Sequence, residues 1–546
     1  MLQLDYNRSS GIYLLWVPRA EYDIRVLMEE HGLDYSEPAS SPQRACLFTH
    51  EPYAAVAFYD YGTTAAKDTL LQIRTEMETS WSKESQGHIR VPADEQLAPF
   101  QIAGVEFAMR RKNTLIGDVP GLGKTPMAVA IANERNARRV LVLCPANIRL
   151  QWIKAIRRWS TMAYPYVAYP ILNGKHGVHP SANWTVVSYD LARTEPIGKA
   201  LAKGSYDLLI LDEGHYLKEI DSQRTRAVFG GGLEPKFEAL ANRCDQIVAL
   251  TGTPLPNRPR EAYTLTRGLC HDAIDFMSEE RFRQRFNPSM KRETAEGKIY
   301  IDERSGRHGE LQARLRSNFM VRREKYGPNG VGYQLGMLNL PVFDIVHMEE
   351  TRAIKQALQA EAMLDIDPEN LEGADADVFG HIAVVRRQMG VALAPQVAGY
   401  VEMLLEGGED KVVVFAHHVE VLDILENALR RFGSTRIDGR DGAVRKQKKV
   451  DEWIEDPRKR VIVGNMLSMG TGTDGLQAVV RRAVFAEPDW VMGTNQQAFD
   501  RIDRPGAMDG TAMGDFCVAP GSFSERVLAS ALRKGQTTHK ALDRRM

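Results

Sequence analysis

Residues 115–131 read "LIGDVPGLGKTPMAVAI", in which two glycines, a lysine and a threonine stand in an order that could hold phosphate. Gly121 and Gly123 let backbone N–H groups face inward. The start of the following helix adds partial positive charge, and together these make an anion cradle. Lys124 would reach the β- and γ-phosphates of a nucleotide, and the Thr125 hydroxyl would hold Mg²⁺. Asp118 stands where the general pattern G-x-x-x-x-G-K-[ST] has its first glycine. An ordinary strand–turn–helix corner would show the same residues, because Pro126 is tolerated where first-turn N–H groups have no partner anyway.

Three further groups bear on that choice. "YDLLILDEGH" ends an apolar strand in Asp212 and Glu213, at the edge where open parallel sheets bind ligands. Asp212 is suited to orienting a Mg²⁺ shell and Glu213 to polarising a water, although an acidic pair also caps helices. "LTGTPLPNRPREAYTL" sets Thr251 and Thr253 after the next strand, where they face a nucleotide or simply cap a turn. "NQQAFDRIDRPG" presents Arg501 and Arg504 three apart, predicted on one face of a helix. Their guanidinium groups suit a transferring γ-phosphoryl; an isolated R-x-x-R would otherwise read as a solvated helix.

The elements that must position these groups are legible as apolar runs. "RVLVLC", "WTVVSY", "YDLLIL" and "QIVALT" alternate with helical stretches between about 97 and 265. Uniformly apolar short strands separated by helices predict a parallel sheet covered on both faces. "KVVVFA", "STRIDG", "RVIVG" and "RAVFAE" repeat the pattern after about 396, so two sheets are expected rather than one. Residues 1–93 carry β-like runs, "GIYLLWV" and "ACLFTHEPYAAVAFYDY", around a helical stretch, and read as a small separate α+β domain. The charged region of about 270–395 reads mostly helical, with Gly/Pro breaks at "KYGPNGVGY" and "NLPVF" marking a hinge.

Bulk composition decides less. The 546 residues are 43% hydrophobic and 26% charged, enough chain for several cores. No apolar run approaches the ~20 residues needed to cross a bilayer, and the N-terminus lacks the pattern of a secretion signal. Five cysteines stand singly, which excludes a disulfide framework or a zinc site by spacing and suits a reducing interior. With a net charge of −1, a polyanion would have to meet local basic patches. "RKQKK" at 445–449 is such a run, although charge runs on helices are usually just solvated, and Trp152 and Trp159 read as core.

The ordered motifs resemble the Swi/Snf-type branch of superfamily-2 helicases and translocases. They run "PFQIAGVEFA", "DVPGLGKT", "LVLCPANIRLQW", "LDEGH", "LTGTPLPN", "VVVFAHHVEVLD", "RIDG", "GTGTDGLQ" and "QQAFDRIDRPG", across about 97–515. "LAPFQIAGVEFA" and "VVVFAHHVEVLD" are most similar to HARP-type annealing helicases. The resemblance implies that Gln101 reads adenine with Phe100 as a stacking surface, and that Gly121, Leu122, Gly123, Lys124 and Thr125 form the phosphate loop. It gives Asp212 and Glu213 the Mg²⁺ and water-activating roles, with His215, Thr251 and Thr253 coupling that motif to the cleft. Arg501 and Arg504 would reach across from the second lobe, and Arg322, Arg323 and Lys325 would couple the lobes. Asp is common at the loop's first position in this branch, which suits Asp118. Val119 and Pro120 replace the usual Glu-Met, "GTGTDGLQ" is looser than the family loop, and "DRPGA" lacks the usual glutamine.

On this reading Asn147 and Arg149 in the first lobe, and His417, His418, Ser468 and Thr471 in the second, are candidates to meet nucleic-acid phosphates. The two histidines read equally well as buried structural groups. The expected architecture is α/β. It has two tandem RecA-like lobes (94–269 and 396–546, the latter with a C-terminal helix), helical protrusions and a hinge at 270–395, and an accessory domain at 1–93. The expected activity is ATP- and Mg²⁺-dependent remodelling of duplex or branched DNA by a cytoplasmic bacterial or phage monomer that meets no membrane and works beside replication or repair proteins. A helicase subunit of a restriction or defence complex, an RNA-dependent ATPase and a non-hydrolysing DNA clamp remain as alternatives.

Overall fold

Two fully parallel sheets organise the chain, each built from the apolar runs named above. The computed structural model describes all residues except 164, 232–235, 255–258, 294–298, 304–305, 328, 364–375, 470–474, 490–491, 527 and 530–546. It divides into two compact units, one built on Met1–Val119 and Gly123–Val331, the other on Pro120–Leu122 and Gly332–Gly535.

The first unit's large sheet has seven strands. In spatial order they are Met320–Val321, Asn113–Ile116, Cys244–Leu250, Tyr206–Asp212, Val140–Cys144, Trp184–Ser188 and Ala168–Ile171, all parallel. Successive side chains of a strand point to opposite faces, and both faces are covered here. Leu141, Leu143, Leu209 and Leu211 enter one apolar core, while Val140, Val142, Leu208 and Ile210 enter the other. The second core packs under the helices Pro99–Met109, Lys124–Glu134 and Arg149–Trp159. Double burial is why these strands read as unbroken hydrophobic runs rather than as alternation.

The second unit holds six parallel strands, in the order Val342–His347, Met513–Val518, Arg482–Phe485, Val412–Ala416, Val461–Asn465 and Thr435–Ile437. The stretch of about 270–395 is less helical than its composition suggests. It contributes an edge strand to each large sheet and an antiparallel pair of its own, Ser289–Glu293 with Ile299–Glu303.

Residues 1–93 form a four-stranded antiparallel sheet and the helix Thr64–Trp81. The second β-like run stops being a strand at Thr49, because Pro52 opens a short helix whose N-terminus the Glu51 carboxylate caps. This module is not separate from the first unit. Ala313 of the helix His308–Asn318 lies inside its core. Beside it the buried Arg314 meets Glu310 at 2.9 Å, Glu51 at 2.6 Å and Asp275 at 2.9 Å. One turn on, Arg316 donates to the Arg322 carbonyl at 2.8 Å and lies over the Trp81 ring. The module therefore buttresses the segment that carries Arg322 and Arg323.

Candidate functional site

The groups that suggested phosphate chemistry converge on the carboxyl edge of the seven-stranded sheet. The strand Asn113–Ile116 runs into the loop, where Gly121 and Gly123 hold φ of 88° and 75°, a left-handed conformation that favours glycine. A Cβ at Gly123 would lie 2.3 Å from the Gln101 Nε2 atom, so the loop passes directly against that side chain. The Gln101 Oε1 atom accepts from the Ala98 N–H at 2.9 Å, which fixes the amide at the start of its helix. Leu122 is buried and anchors the turn, and Thr125 sits in the first turn of the helix Lys124–Glu134. The Lys124 ammonium donates to the Asp118 carbonyl at 2.8 Å and the Val119 carbonyl at 3.4 Å.

Asp118 has a specific partner. Its fully buried carboxylate accepts from Arg323 Nε at 2.8 Å, Arg323 Nη2 at 2.6 Å and the Arg323 backbone N–H at 2.8 Å. The same guanidinium donates to the Phe100 carbonyl at 3.0 Å. It reaches there because Gly104 has no side chain: a Cβ at that position would lie 2.6 Å from Arg323 Nη2. Arg322 donates to the Gly252 carbonyl at 3.1 Å, and Arg322, Arg323 and Lys325 are all buried. Phe100 is fully buried beneath Arg323. In this structure it is a packing group and presents no open face for stacking, which corrects the expectation drawn from its place beside Gln101.

Asp212 ends its strand with both carboxylate oxygens engaged. Oδ2 accepts from the Trp152 indole N–H at 2.7 Å and Oδ1 from the Glu213 backbone N–H at 2.9 Å. Burial, and then the Glu213 charge, push its carboxyl up to about 7, against the Trp152 hydrogen bond and the Lys124 charge. Trp152 is core by burial, yet its indole is also the group that orients Asp212. The motif "LVLCPANIRLQW" contained that tryptophan, but no spacing rule links it to a residue 60 positions away.

Glu213 adopts φ of 52°, a left-handed conformation that is strained in a non-glycine residue. Its Oε2 lies 3.2 Å from His215 Nδ1. That nitrogen also lies 3.1 Å from Thr251 Oγ1 and 3.4 Å from Thr253 Oγ1, and the Thr253 N–H donates to Thr251 Oγ1 at 3.1 Å. One imidazole nitrogen thus touches the acidic pair and the threonine loop of the neighbouring strand. The rest of that threonine motif, 255–258, lies outside the described residues.

In the same unit, Asn147 lies half-buried in a short helical turn, and Arg149 donates to the Ala146 carbonyl at 2.8 Å and the Ile171 carbonyl at 2.6 Å. Burial lowers the pKa of that guanidinium.

The second unit's residues stand as follows. Arg501 and Arg504 do not lie on a helix: it ends at Phe499, and both arginines sit in the turns that follow. The Arg501 N–H turns to the Ala498 carbonyl and the Ile502 N–H to that of Phe499, tightening the last turn. Pro505 then disfavours helical geometry at Arg504. His417 and His418 donate their backbone N–H groups to Glu487 Oε2 at 2.8 and 2.9 Å. The His418 ring lies 2.6 Å from Glu487 Oε1, and the His417 ring 3.3 Å from Asp489. Burial depresses the His417 pKa. Both histidines thus belong to a carboxylate cluster that closes the strand end. The Ser468 N–H donates to Asn465 Oδ1 at 3.1 Å, and Thr471 lies outside the described residues. Among the described residues no helix is long and apolar enough to cross a membrane, and no cluster of His, Cys, Asp and Glu has the make-up of a metal site.

Residues 100–327 match the SNF2-related domain model. The mouse DNA annealing helicase and endonuclease ZRANB3 is 27% identical over 459 residues, covering 82% of this chain and 41% of that protein. The Xenopus laevis SWI/SNF-related matrix-associated actin-dependent regulator of chromatin subfamily A-like protein 1 is 29% identical over 427 residues, 75% of this chain and 40% of that one. The fission yeast DNA repair protein rhp54 is 23% identical over 525 residues. The chain spans about two fifths of the length of the first two. Among solved structures, the Sulfolobus solfataricus SWI2/SNF2 ATPase core in complex with dsDNA aligns at 15% identity with a TM-score of 0.38, covering 85% of this chain and 99% of that one. The matched stretch carries the phosphate loop, the acidic pair and the threonine loop, so these groups lie within a region similar to the SNF2-related domain.

Proposed function

We propose that this chain is an ATP-dependent DNA translocase that remodels duplex or branched DNA, with fork remodelling or strand annealing as its outcome. The observation that carries the reading is the gathering of the Lys124 loop, the Asp212–Glu213 pair and the His215–Thr251–Thr253 cluster on one sheet edge. Its DNA side is supported by relatives whose names include DNA annealing helicase and DNA repair protein.

A nucleotide and its Mg²⁺ suit the residues present. Asp212 is a half-buried carboxylate whose charge desolvation disfavours, and a divalent cation would relieve that cost. Thr125 and Asp212 supply the oxygen donors that Mg²⁺ takes, and the ion would neutralise charge on the phosphates. To Gln101, held against Gly123, we assign reading of the base. Lys124 exchanges its loop carbonyls for phosphate oxygens, and Glu213 orients a water for in-line attack while His215 relays its position to Thr251 and Thr253. We assign to Arg501 and Arg504 the neutralisation of charge on the transferring γ-phosphoryl, and to Asn147, Arg149, Ser468 and Thr471 contacts with the track. A cytoplasmic location and work beside replication or repair proteins belong to the same reading.

The test is ATP turnover measured with single-stranded, duplex and forked DNA and with RNA, beside triplex-displacement and strand-annealing assays. Stimulation by duplex or forked DNA is expected. Stimulation by RNA alone would make the chain an RNA-dependent ATPase, DNA binding without turnover a clamp, and stable co-purification with a nuclease a defence-complex subunit.

A further inference from the structure

The opposite edge of the same sheet carries a second, differently made site. Where the strands Asn113–Ile116, Val140–Cys144, Tyr206–Asp212 and Cys244–Leu250 begin, a cavity of about 590 Å³ opens between the ends of the helices Pro99–Met109 and Lys124–Glu134. Five cations line it (Arg110, Arg111, Lys112, Arg135 and Arg138) against two carboxylates, Asp207 and Asp245. At ~3.3 Å per strand residue, this mouth lies ~20 Å from the phosphate loop.

Cations at helix C-termini ordinarily serve the helix dipole, and two of these do. Arg135 donates to the Met109 carbonyl at 3.0 Å and the Arg111 carbonyl at 3.2 Å. Arg111 meets Glu76 and donates to the Asn318 carbonyl at 2.9 Å. The other three are different. The side chains of Arg110, Lys112 and Arg138 are exposed and have no hydrogen-bond or ion-pair partner among the described residues. Asp207 forms no ion pair with them; its Oδ2 accepts the backbone N–H groups of Arg138 and Arg139.

We propose that this amino-edge pocket binds the phosphate backbone of a nucleic-acid segment other than the one that stimulates hydrolysis. The nature of the ligand rests on the function proposed above. Guanidinium forks match phosphate oxygens, and contact to backbone alone suits a protein that does not read sequence. A docked protein would call for apolar anchors, whereas Met109 is the one apolar residue lining the pocket among the described residues. A forked substrate offers the second duplex that such a site requires; a linear duplex short enough to fill one track does not.

The test uses the full chain and fluorescence anisotropy without ATP, on a forked junction and on a short linear duplex, across a salt series. The Arg110→Glu/Lys112→Glu/Arg138→Glu variant changes only exposed side chains. It is expected to bind the junction about tenfold or more weakly, with a log–log salt slope shallower by roughly 2–3. Its turnover on saturating linear duplex should equal wild type. Asp245→Asn should strengthen junction binding. Junction affinity and slope equal to wild type in the triple variant would overturn the site, as would loss of polyglutamate binding with DNA binding intact, which would assign the pocket to an acidic peptide. Absence of nucleic-acid-stimulated turnover in wild type would overturn the proposed function instead, because the binding measurement needs no hydrolysis.

Discussion

The two edges of the seven-stranded sheet use charge in opposite ways. At the carboxyl edge, charges are sheltered and engaged: Asp118 is buried with Arg323, and the half-buried Asp212 and Glu213 meet Trp152 and His215. At the amino edge four of the five lining cations are exposed, and three of them have no hydrogen-bond or ion-pair partner among the described residues. A buried, fully connected group is positioned to fractions of an ångström and suits chemistry. An exposed, unpaired group is adaptable, screened by salt and suits capture of a polyanion. Proteins that must both react and hold gain from keeping these jobs on different edges of one rigid sheet.

Removing the engaged partner at the carboxyl edge should do most damage. Arg323→Ala leaves the buried Asp118 carboxylate without its cation, keeping only the backbone N–H, and is expected to cost roughly 3–5 kcal/mol in denaturant unfolding. Reversing exposed cations at the amino edge should change stability by less than about 0.5 kcal/mol. Equal costs at the two edges would break the comparison. Next in size, Gly123→Ala must hold a Cβ at φ 75° and push Gln101 aside. About 1–2 kcal/mol of backbone strain is expected, with weakened ATP binding in a folded protein, read by equilibrium titration.

A further effect concerns pH. Asp212 has its carboxyl raised from 3.8 to about 7 in the folded chain, so between those values the folded state binds more protons than the unfolded. Stability from this group is then fully present below about pH 4 and is lost as pH rises through about 7. Urea unfolding in chelator at about pH 5 and about pH 8 should show a loss for wild type that Asp212→Asn lacks. Trp152→Phe, which removes a hydrogen bond that lowers this pKa, should push the loss to higher pH.

What the sequence made legible, and what it did not, follows from the range of the interactions. Strand runs such as "RVLVLC" are local, and double burial marks them plainly. The glycines around Lys124 and the acids ending "YDLLILD" are local too, and parallel topology brings their loops to one edge. The partner of Asp118 lies 205 positions away and is recognisable only once the strand Met320–Val321 pairs beside the loop's own strand. The indole on Asp212 was hidden for the same reason. Arg501 and Arg504 misread as helical because spacing alone outweighed Pro505, which ends such a helix. The amino-edge cations had no motif at all: they come from two separate segments, 110–112 and 135–138, and the net charge of −1 averages them away.

The central claim is that the carboxyl edge hydrolyses ATP in response to DNA. Its most direct test is steady-state ATP turnover with and without forked DNA, for wild type, Lys124→Ala and Glu213→Gln. Turnover should rise on adding DNA to wild type, and each variant should lose roughly 10²–10³-fold while keeping its fold. Turnover indifferent to DNA in folded wild type, or undiminished in either variant, would contradict the account.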